Sequence, residues 1–395
     1  MIADLFKLAQ QVVQEIQNHG FQAYIVGGAV RDSILGRDID DIDIATSAYP
    51  EQVQKMFTKV IPTGIEHGTV LVRYHGTSFE VTTFRTETGY SDFRRPDTVN
   101  FVTNLKEDLA RRDFTMNAIA MDQSLQLIDP YHGQSDIKNK VIRTVGRAQE
   151  RFLEDPLRMM RAIRFQSQLG FKLDNEPLDA IHDNKKWLEK IAVERIAVEW
   201  EKTLTGTYFN EAKQSLFHTG LVDHLPILSE HINIQLEFQR LNCSLPSFAA
   251  FIAYMNLNIA DIAISDWTNR WKLSNQIKKD SHLLVQLVQD YPKEPLSWVL
   301  YRLPEDLIED FSRLCLLLQN EAINKEDIIA IKNGLTIKNR RDLVINGQDI
   351  ISFFPDREAG SWIQHMLLET EKAVISEVIK NDKNDIREWL QYDNK

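Results

Sequence analysis

Two short stretches carry residue types suited to phosphate chemistry: Gly27-Gly28-Ala29-Val30-Arg31-Asp32 and Asp41-Ile42-Asp43. A glycine pair at a turn lets backbone N–H groups approach a phosphate, and a helix N-terminus behind it adds partial positive charge. Arg31, in the first turn of such a helix, has the planar fork that clamps phosphate oxygens. The spacing of Asp41 and Asp43 puts both carboxylates on one face of a strand, with Ile42 and Ile44 toward the core. Paired carboxylates repel unless a cation lies between them. Mg²⁺ accepts one or two carboxylates and completes its shell with phosphates and water. A phosphate-cradling turn beside such a strand is the apparatus of metal-assisted phosphoryl or nucleotidyl transfer. The same letters also spell a plain Gly-Gly bend followed by a solvated acidic turn, Asp38 to Asp43.

The elements that must position these residues follow from hydrophobic period. Gln22 to Val26 reads as a strand running into the glycine pair, and Val30 to Leu35 as a helix closed by Gly36. Upstream, Leu5, Leu8, Val12, Val13 and Ile16 form a helical stripe over residues 3–18. Pro50 starts a helix to Phe57, Val60-Ile61-Pro62 is extended, and Gly64 to Gly68 is a loop. Thr69 to Tyr74 and Ser78 to Arg85 form a hairpin turning at His75-Gly76-Thr77. Glu80 shares a strand face with Thr82 and Phe84, as a third carboxylate for the metal site or as a solvent-facing residue. Thr86 to Thr98 has no period; its Tyr90, Phe93, Arg94 and Arg95 suit contact with a nucleotide or a moving helix, with plain disorder as the alternative. Arg111-Arg112-Asp113 sets two guanidiniums beside an apolar run and calls for an anionic partner. Leu127-Ile128-Asp129-Pro130 and His132-Gly133 end this α/β region.

From about Asp136 onward strands fade and helical period takes over. Phe152 to Leu169 reads as one helix. At about 100° per residue, Phe152, Met159 and Ile163 share its core face, and Asp155, Arg158, Arg161 and Arg164 form a ribbon on the other. That ribbon is either functional or an exposed face with an i,i+3 ion pair between Asp155 and Arg158. Val193 to Trp200 continues the helical pattern, and only helices and loops follow: Phe248 to Tyr254, Ile277 to Gln289, Leu307 to Leu318, Trp362 to Ile379. Their Trp and Phe residues read as core.

Composition sets the outer bounds. A chain of 395 residues, 43% hydrophobic and 26% charged, suggests two to four globular, soluble domains. No run approaches a membrane-spanning length, and Met1-Ile2-Ala3-Asp4 has no signal-peptide pattern. Cys243 and Cys315 lack metal-ligand spacing, which points to reduced cysteines in a cytoplasmic protein. A net charge of −11 argues against indiscriminate nucleic-acid binding. It leaves room for a nucleic-acid substrate, because Arg143, Arg147, Arg151, Arg158, Arg161 and Arg164 face only Glu150, Glu154 and Asp155 in sequence.

With these residues in place, the chain resembles the class II tRNA nucleotidyltransferases, the bacterial CCA-adding enzymes, which are relatives of bacterial poly(A) polymerases and share the DNA polymerase beta nucleotidyltransferase core. The resemblance covers the first 200 residues in order: Gly-Gly-Ala-Val-Arg-Asp with Asp41-Ile-Asp43, Arg111-Arg112-Asp113-Phe-Thr-Met-Asn-Ala, Glu154-Asp155-Pro-Leu-Arg158 into Arg161-Ala-Ile-Arg164-Phe, and Glu194-Arg195-Ile. A looser match, Lys338-Asn339-Arg340-Arg341-Asp342-Leu343-Val344-Ile345-Asn346-Gly347, looks like the tail of the Firmicutes-type subgroup. The resemblance implies an α+β protein: a mixed-sheet catalytic head over residues 1–147, a helical neck over 148–205, and a helical body and tail over 206–395 that grip the acceptor arm and elbow of tRNA. It implies Asp41 and Asp43 as ligands of Mg²⁺, and Glu80 as the third catalytic carboxylate. Gly28 and Arg31 would bind triphosphate, Arg112 and Asp113 the sugar and nucleotide, and Arg161 and Arg164 further parts of the nucleotide. Asp155 and Arg158 would select the incoming base, and the loop around residues 86–98 matches the flexible loop of full CCA-adding enzymes. A homodimer is the family expectation.

The base-selection role agrees with hydrogen-bond inventories. Cytosine and adenine present an amine donor beside a ring-nitrogen acceptor, and a carboxylate only accepts where a guanidinium only donates. Asp155 and Arg158 together then fit CTP and ATP without a template, while uracil and guanine would leave groups unpaired at about 1–3 kcal/mol each. Two rival readings are a poly(A) polymerase using ATP alone and a catalytically silent tRNA-binding protein.

Overall fold

The computed structural model describes residues 2–90, 93, 97–319 and 323–393. Arg94 and Arg95, singled out in sequence for nucleotide contact, lie outside the described residues. By compactness the chain divides into two units, Met1–Ser244 and Leu245–Lys395.

The first unit opens with α1 (Ile2–Asn18), whose buried stripe is Phe6, Ala9, Val12, Val13 and Ile16. Leu5 and Leu8, expected in that stripe, are only half-buried, because Phe6 and Ala9 take the core positions one residue along. Then come β1 (Ala23–Val26), α2 (Gly28–Leu35), β2 (Asp43–Thr46), α3 (Pro50–Met56), β3 (Val60–Gly64), β4 (Thr69–Tyr74) and β5 (Thr77–Thr83). Further along lie β6 (Arg85–Thr88), β7 (Thr98–Phe101), α4 (Leu105–Ala110), β8 (Ala120–Met121) and β9 (Leu127–Ile128). Seven of these strands form one mixed sheet in the order β3-β4-β5-β2-β1-β8-β9, in which β2 and β5 run parallel and the other pairs antiparallel. Two registers bring the acidic residues together: Val26 faces Asp43 across β1 and β2, and Asp43 faces Glu80 across β2 and β5. Beneath them Val26, Ala45, Phe84, Leu105, Leu109, Ala118 and Ala120 form a common buried cluster.

Two strand expectations change. The segment read as an aperiodic loop from Thr86 to Thr98 is partly a hairpin, since β6 pairs with β7 from Arg85↔Phe101 to Thr88↔Thr98. Its turn formers lie between the two strands, and the strands themselves carry Thr86, Thr88, Thr98, Val99 and Phe101, which suit a pleated surface. Phe84 does not share the open face of Glu80; it lies past the end of β5 and is fully buried.

Beyond the sheet come α5 (Gly133–Asn139), β10 (Val141–Ile142), α6 (Ala148–Glu154), α7 (Leu157–Leu169), β11 (Lys172–Leu173), α8 (Asn175–Asn184), α9 (Val193–Leu204), α10 (Phe209–Thr219) and α11 (Ile232–Arg240). A short parallel pair, β10 with β11, appears where only helices were expected. The expected continuous helix from Phe152 to Leu169 is broken. Asp155 is extended, with φ −140 and ψ 98, and Pro156 follows it. Proline disfavours the helical conformation in the residue before it and offers no N–H to the preceding turn. The break re-aims the arginines: Arg158 and Arg164 are 8% and 9% exposed, so they line the interior rather than an exposed ribbon.

The second unit is helical. Phe248–Asn258, Asn275–Asp290, Ile308–Gln319 and Trp362–Ile375 coincide closely with the expected helices. Trp267 and Trp271 are fully buried, as the core reading of its aromatics requires, and Trp298, Ile345, Ile350, Met366 and Val374 belong to a second buried cluster. No helix among the described residues is long and apolar enough to cross a membrane.

Candidate active site

At the end of β1 the chain turns through Gly27, with φ 78 and ψ −137, directly into α2. An L-residue rarely adopts that φ, and a Cβ at Gly27 would lie 3.1 Å from Arg112 Nη1. Gly27 therefore lets the turn close over the half-buried Arg112 guanidinium. No side chain caps the N-terminus of α2, so its first N–H groups remain available to an anion. Arg31 leaves α2 toward the same space, held by Asp32 at 2.7 Å and by Asn117 Oδ1 at 2.7 Å.

The register of the sheet sets the carboxylates beside this turn. Ile42 and Ile44 are buried at 2% and 0%, while Asp41 and Asp43 open outward, so the alternation holds although β2 itself starts only at Asp43. The Asp43 carboxyl is pushed up to about 6, first by the surrounding protein and then by the Glu80 and Asp41 carboxylates, with Arg112 opposing. Gathered anionic groups of this kind fit a divalent cation. Among the described residues no three His, Cys, Asp or Glu side chains converge tightly enough to hold an ion alone. That donor set matches a hard cation bound by one or two carboxylates, with substrate phosphates and water completing its shell.

Arg111-Arg112-Asp113 finds its anionic partners. The fully buried Asp108 takes Arg111 at 2.9 Å and Arg112 at 3.5 Å. Burial works against the charge on Asp113, but the Arg161 guanidinium at 2.5 Å and a bond from Asn117 hold its carboxyl well below the usual range. Arg161 and Arg164 also share Glu199, at 3.7 and 2.9 Å. The Phe165 ring lies under three guanidiniums, 5.0 Å from Arg31, 5.5 Å from Arg161 and 4.0 Å from Arg164. Burial lowers Arg164 to about 10.

The i,i+3 pair between Asp155 and Arg158 does not form. Asp155 instead accepts from Arg195 Nη2 at 2.8 Å and from the Leu157 N–H at 3.1 Å. Arg158 donates to Glu154 at 2.6 Å and to the Arg111 carbonyl at 3.3 Å. The six-arginine patch read from sequence is likewise neutralised by acids from elsewhere in the chain: Asp136 and Asp174 take Arg143, Asp113 takes Arg161, and Glu199 takes Arg164. Arg147 and Arg151 pair locally with Glu150 and Glu154.

All eleven residues singled out in sequence, Gly28, Arg31, Asp41, Asp43, Glu80, Arg112, Asp113, Asp155, Arg158, Arg161 and Arg164, line one cleft of about 1010 Å³. The cleft adds Asn117, Phe165 and Arg195, which were not assigned as site residues. Arg195 and Asn117 sit inside motifs already noted, so polar residues flanking such motifs were the available signal. Glu87, Tyr90 and Arg111 also line it, joined by bonds from Tyr90 at 2.7 Å and from Arg111 at 3.2 Å to Glu87. These three tie the start of the loop after β6 to the arginine-rich wall.

Comparison with known proteins gives concordant matches. Residues 23–143 match the family described as Poly A polymerase head domain, and residues 244–390 that described as tRNA nucleotidyltransferase domain 2. The CCA-adding enzyme of Oceanobacillus iheyensis is 43% identical over 392 residues, 99% of this chain and 98% of that protein. That of Bacillus mycoides is 41% identical over 396 residues, 98% of each. The crystal structure of the Bacillus stearothermophilus CCA-adding enzyme in complex with CTP superposes with a TM-score of 0.83 at 36% identity, covering 98% of this chain and 97% of that one.

Proposed function

Because the chain belongs to the family of bacterial CCA-adding enzymes, we propose that its cleft adds C, C and A in turn to the 3′ end of tRNA, using CTP and ATP without a nucleic-acid template. The observation that carries this reading is the convergence of a phosphate turn, a carboxylate pair and eight arginines on one cleft.

In the proposed reaction the acceptor's 3′-hydroxyl oxygen attacks the α-phosphorus of the nucleotide. A new P–O bond forms, the bond to the β-phosphate oxygen breaks, pyrophosphate leaves with its electron pair, and the hydroxyl proton passes to solvent in the open cleft. The Gly27-Gly28 turn, the α2 N-terminus and Arg31 bind the triphosphate. Arg112, Asp113, Arg161 and Arg164 hold the sugar and the rest of the nucleotide, and Asp155 with Arg158 reads the base edge. Asp41 and Asp43 would hold Mg²⁺, with Glu80 as the neighbouring third carboxylate. A divalent cation held by these carboxylates would supply charge stabilisation at the phosphates and would acidify the acceptor's 3′-hydroxyl.

The test is a primer-extension assay with Mg²⁺ and a tRNA lacking its 3′ end, given CTP, ATP or both. Two cytidines from CTP, and a third residue only with ATP present, support the proposal. Long adenosine tracts from ATP alone would identify a poly(A) polymerase, and arrest after two cytidines with both nucleotides a CC-adding enzyme.

A further inference from the structure

The cleft has two walls of opposite character, and the sheet order arranges them in a line. On one side stand the Gly27-Gly28 turn, Arg31, Arg112 and the arginines of α7. Asp43 and Glu80 occupy the middle, on β2 and β5. On the far side, toward β4 and β3, lie Thr63, Gly64, His67, Thr69 and Thr82. That wall is neutral, because its nearest cation, Arg85, is paired with Glu87 at 2.7 Å.

Displacement at phosphorus runs roughly in line, so the attacking oxygen must enter opposite the leaving pyrophosphate. If the triphosphate lies on the cationic side, the attacking nucleoside has to cross the wall around His67. We propose that this wall is the subsite for the 3′-terminal nucleoside of the acceptor RNA, and that the His67 imidazole hydrogen-bonds it; the assignment rests on the nucleotidyl-transfer function proposed for the cleft.

The turn that carries His67 is built to hold a side chain still. Gly68 N–H donates to the Ile65 carbonyl at 2.9 Å, Thr83 N–H to the Gly68 carbonyl at 2.9 Å, and the Arg85 guanidinium to the His67 carbonyl. Gly68 has φ +80, and a Cβ there would meet Phe101 Cε1 at 2.6 Å. Phe101 in turn packs edge-on against Tyr49 with ring centroids 5.4 Å apart. These contacts hold the His67 carbonyl and the Gly68 backbone that follows it. His67 lines the cleft, and its imidazole has no side-chain partner among the described residues. Ile61 and Ile65, 41% and 39% exposed, flank the turn with apolar surface of the kind that a nucleoside's base covers. Thr69 and Thr82 hydroxyls lie 3.0 Å apart and add donors and acceptors for a ribose.

Two measurements on the full-length protein test the subsite. In the first, a tRNA whose terminal nucleotide is 4-thiouridine is photolysed on the protein without CTP, and the crosslinked peptide is mapped. Crosslinks within residues 61–69 are expected; crosslinks confined to residues 27–31, 112–117 or 155–195 would overturn the proposal. In the second, His67→Ala should raise KM for the acceptor tRNA about tenfold, the worth of one lost hydrogen bond, with KM for CTP unchanged and His67→Gln restoring most of the loss. Equal changes in both KM values, or none, would sink the assignment. Failure of the wider reading would show separately, as absence of nucleotide addition by the unaltered protein.

Discussion

Asp155 and Arg195, forty residues apart in sequence, meet as a two-contact ion pair with Nη2 to Oδ2 at 2.8 Å and Nη1 to Oδ1 at 3.4 Å. The pair fixes the plane of a carboxylate that also caps α7 through the Leu157 N–H. An orientation held from two sides is what a base-reading acceptor needs, since a rotated carboxylate would face the amine poorly.

Removing that hold should degrade selectivity before it degrades binding. Arg195→Ala is expected to reduce the preference for CTP over UTP about tenfold, read as the ratio of kcat/KM values. Asp155→Asn and Arg158→Met should relax base choice further. Unchanged ratios in all three variants would mean that the base is read elsewhere.

For the carboxylates, Asp41→Ala and Asp43→Ala should each abolish nucleotide incorporation and leave tRNA retention on a filter nearly intact. Calorimetric titration with Mg²⁺ should show weakened binding in both. Chelation by EDTA should reproduce the loss of activity in the unaltered protein, and added Mg²⁺ should restore it. Turnover near the parent level in either variant would refute the assignment.

Glu199 is 6% exposed and is the ion-pair partner of the buried Arg164 at 2.9 Å, with Arg161 3.7 Å away. Truncating it leaves buried guanidinium charge uncompensated, which costs about 3 kcal/mol or more. Glu199→Ala should therefore lower the denaturant midpoint clearly, whereas Glu199→Gln, which keeps the shape and an acceptor, should cost less.

Asp310 in the second unit offers a pH test. Burial raises its carboxyl from 3.8 to about 6, even though Ser247 donates to it at 2.8 Å. Below pH 3.8 both folded and unfolded chains carry the proton, so there is no penalty. As pH rises toward 6 the unfolded chain releases the proton while the folded chain keeps it, and stability falls by up to about 3 kcal/mol. Asp310→Asn keeps an acceptor for Ser247 without the charge. It should melt higher than the parent at about pH 7.5 and equally at about pH 4; an equal gain at both would mean that charge is not the cause.

Much of this protein is legible in its letters because local rules dominate there. The glycine turn, the Asp41–Asp43 alternation and the hairpin of β4 and β5 depend on neighbours a few residues away, and strand and helix periods record them directly. The head's order of elements follows for the same reason. What the letters could not carry was partnership across the chain. Pro156 was visible, yet its effect, an extended Asp155 and a broken helix, was hidden by a hydrophobic period that continues across it. Glu199 and Arg195, both on α9, meet residues from α7 and the break before it only once the helices pack. Sequence therefore determined which groups are present and how each local element presents them. Tertiary structure decided which charges neutralise one another, because ion pairing depends on distance in space, and a residue's distance along the chain says little about that.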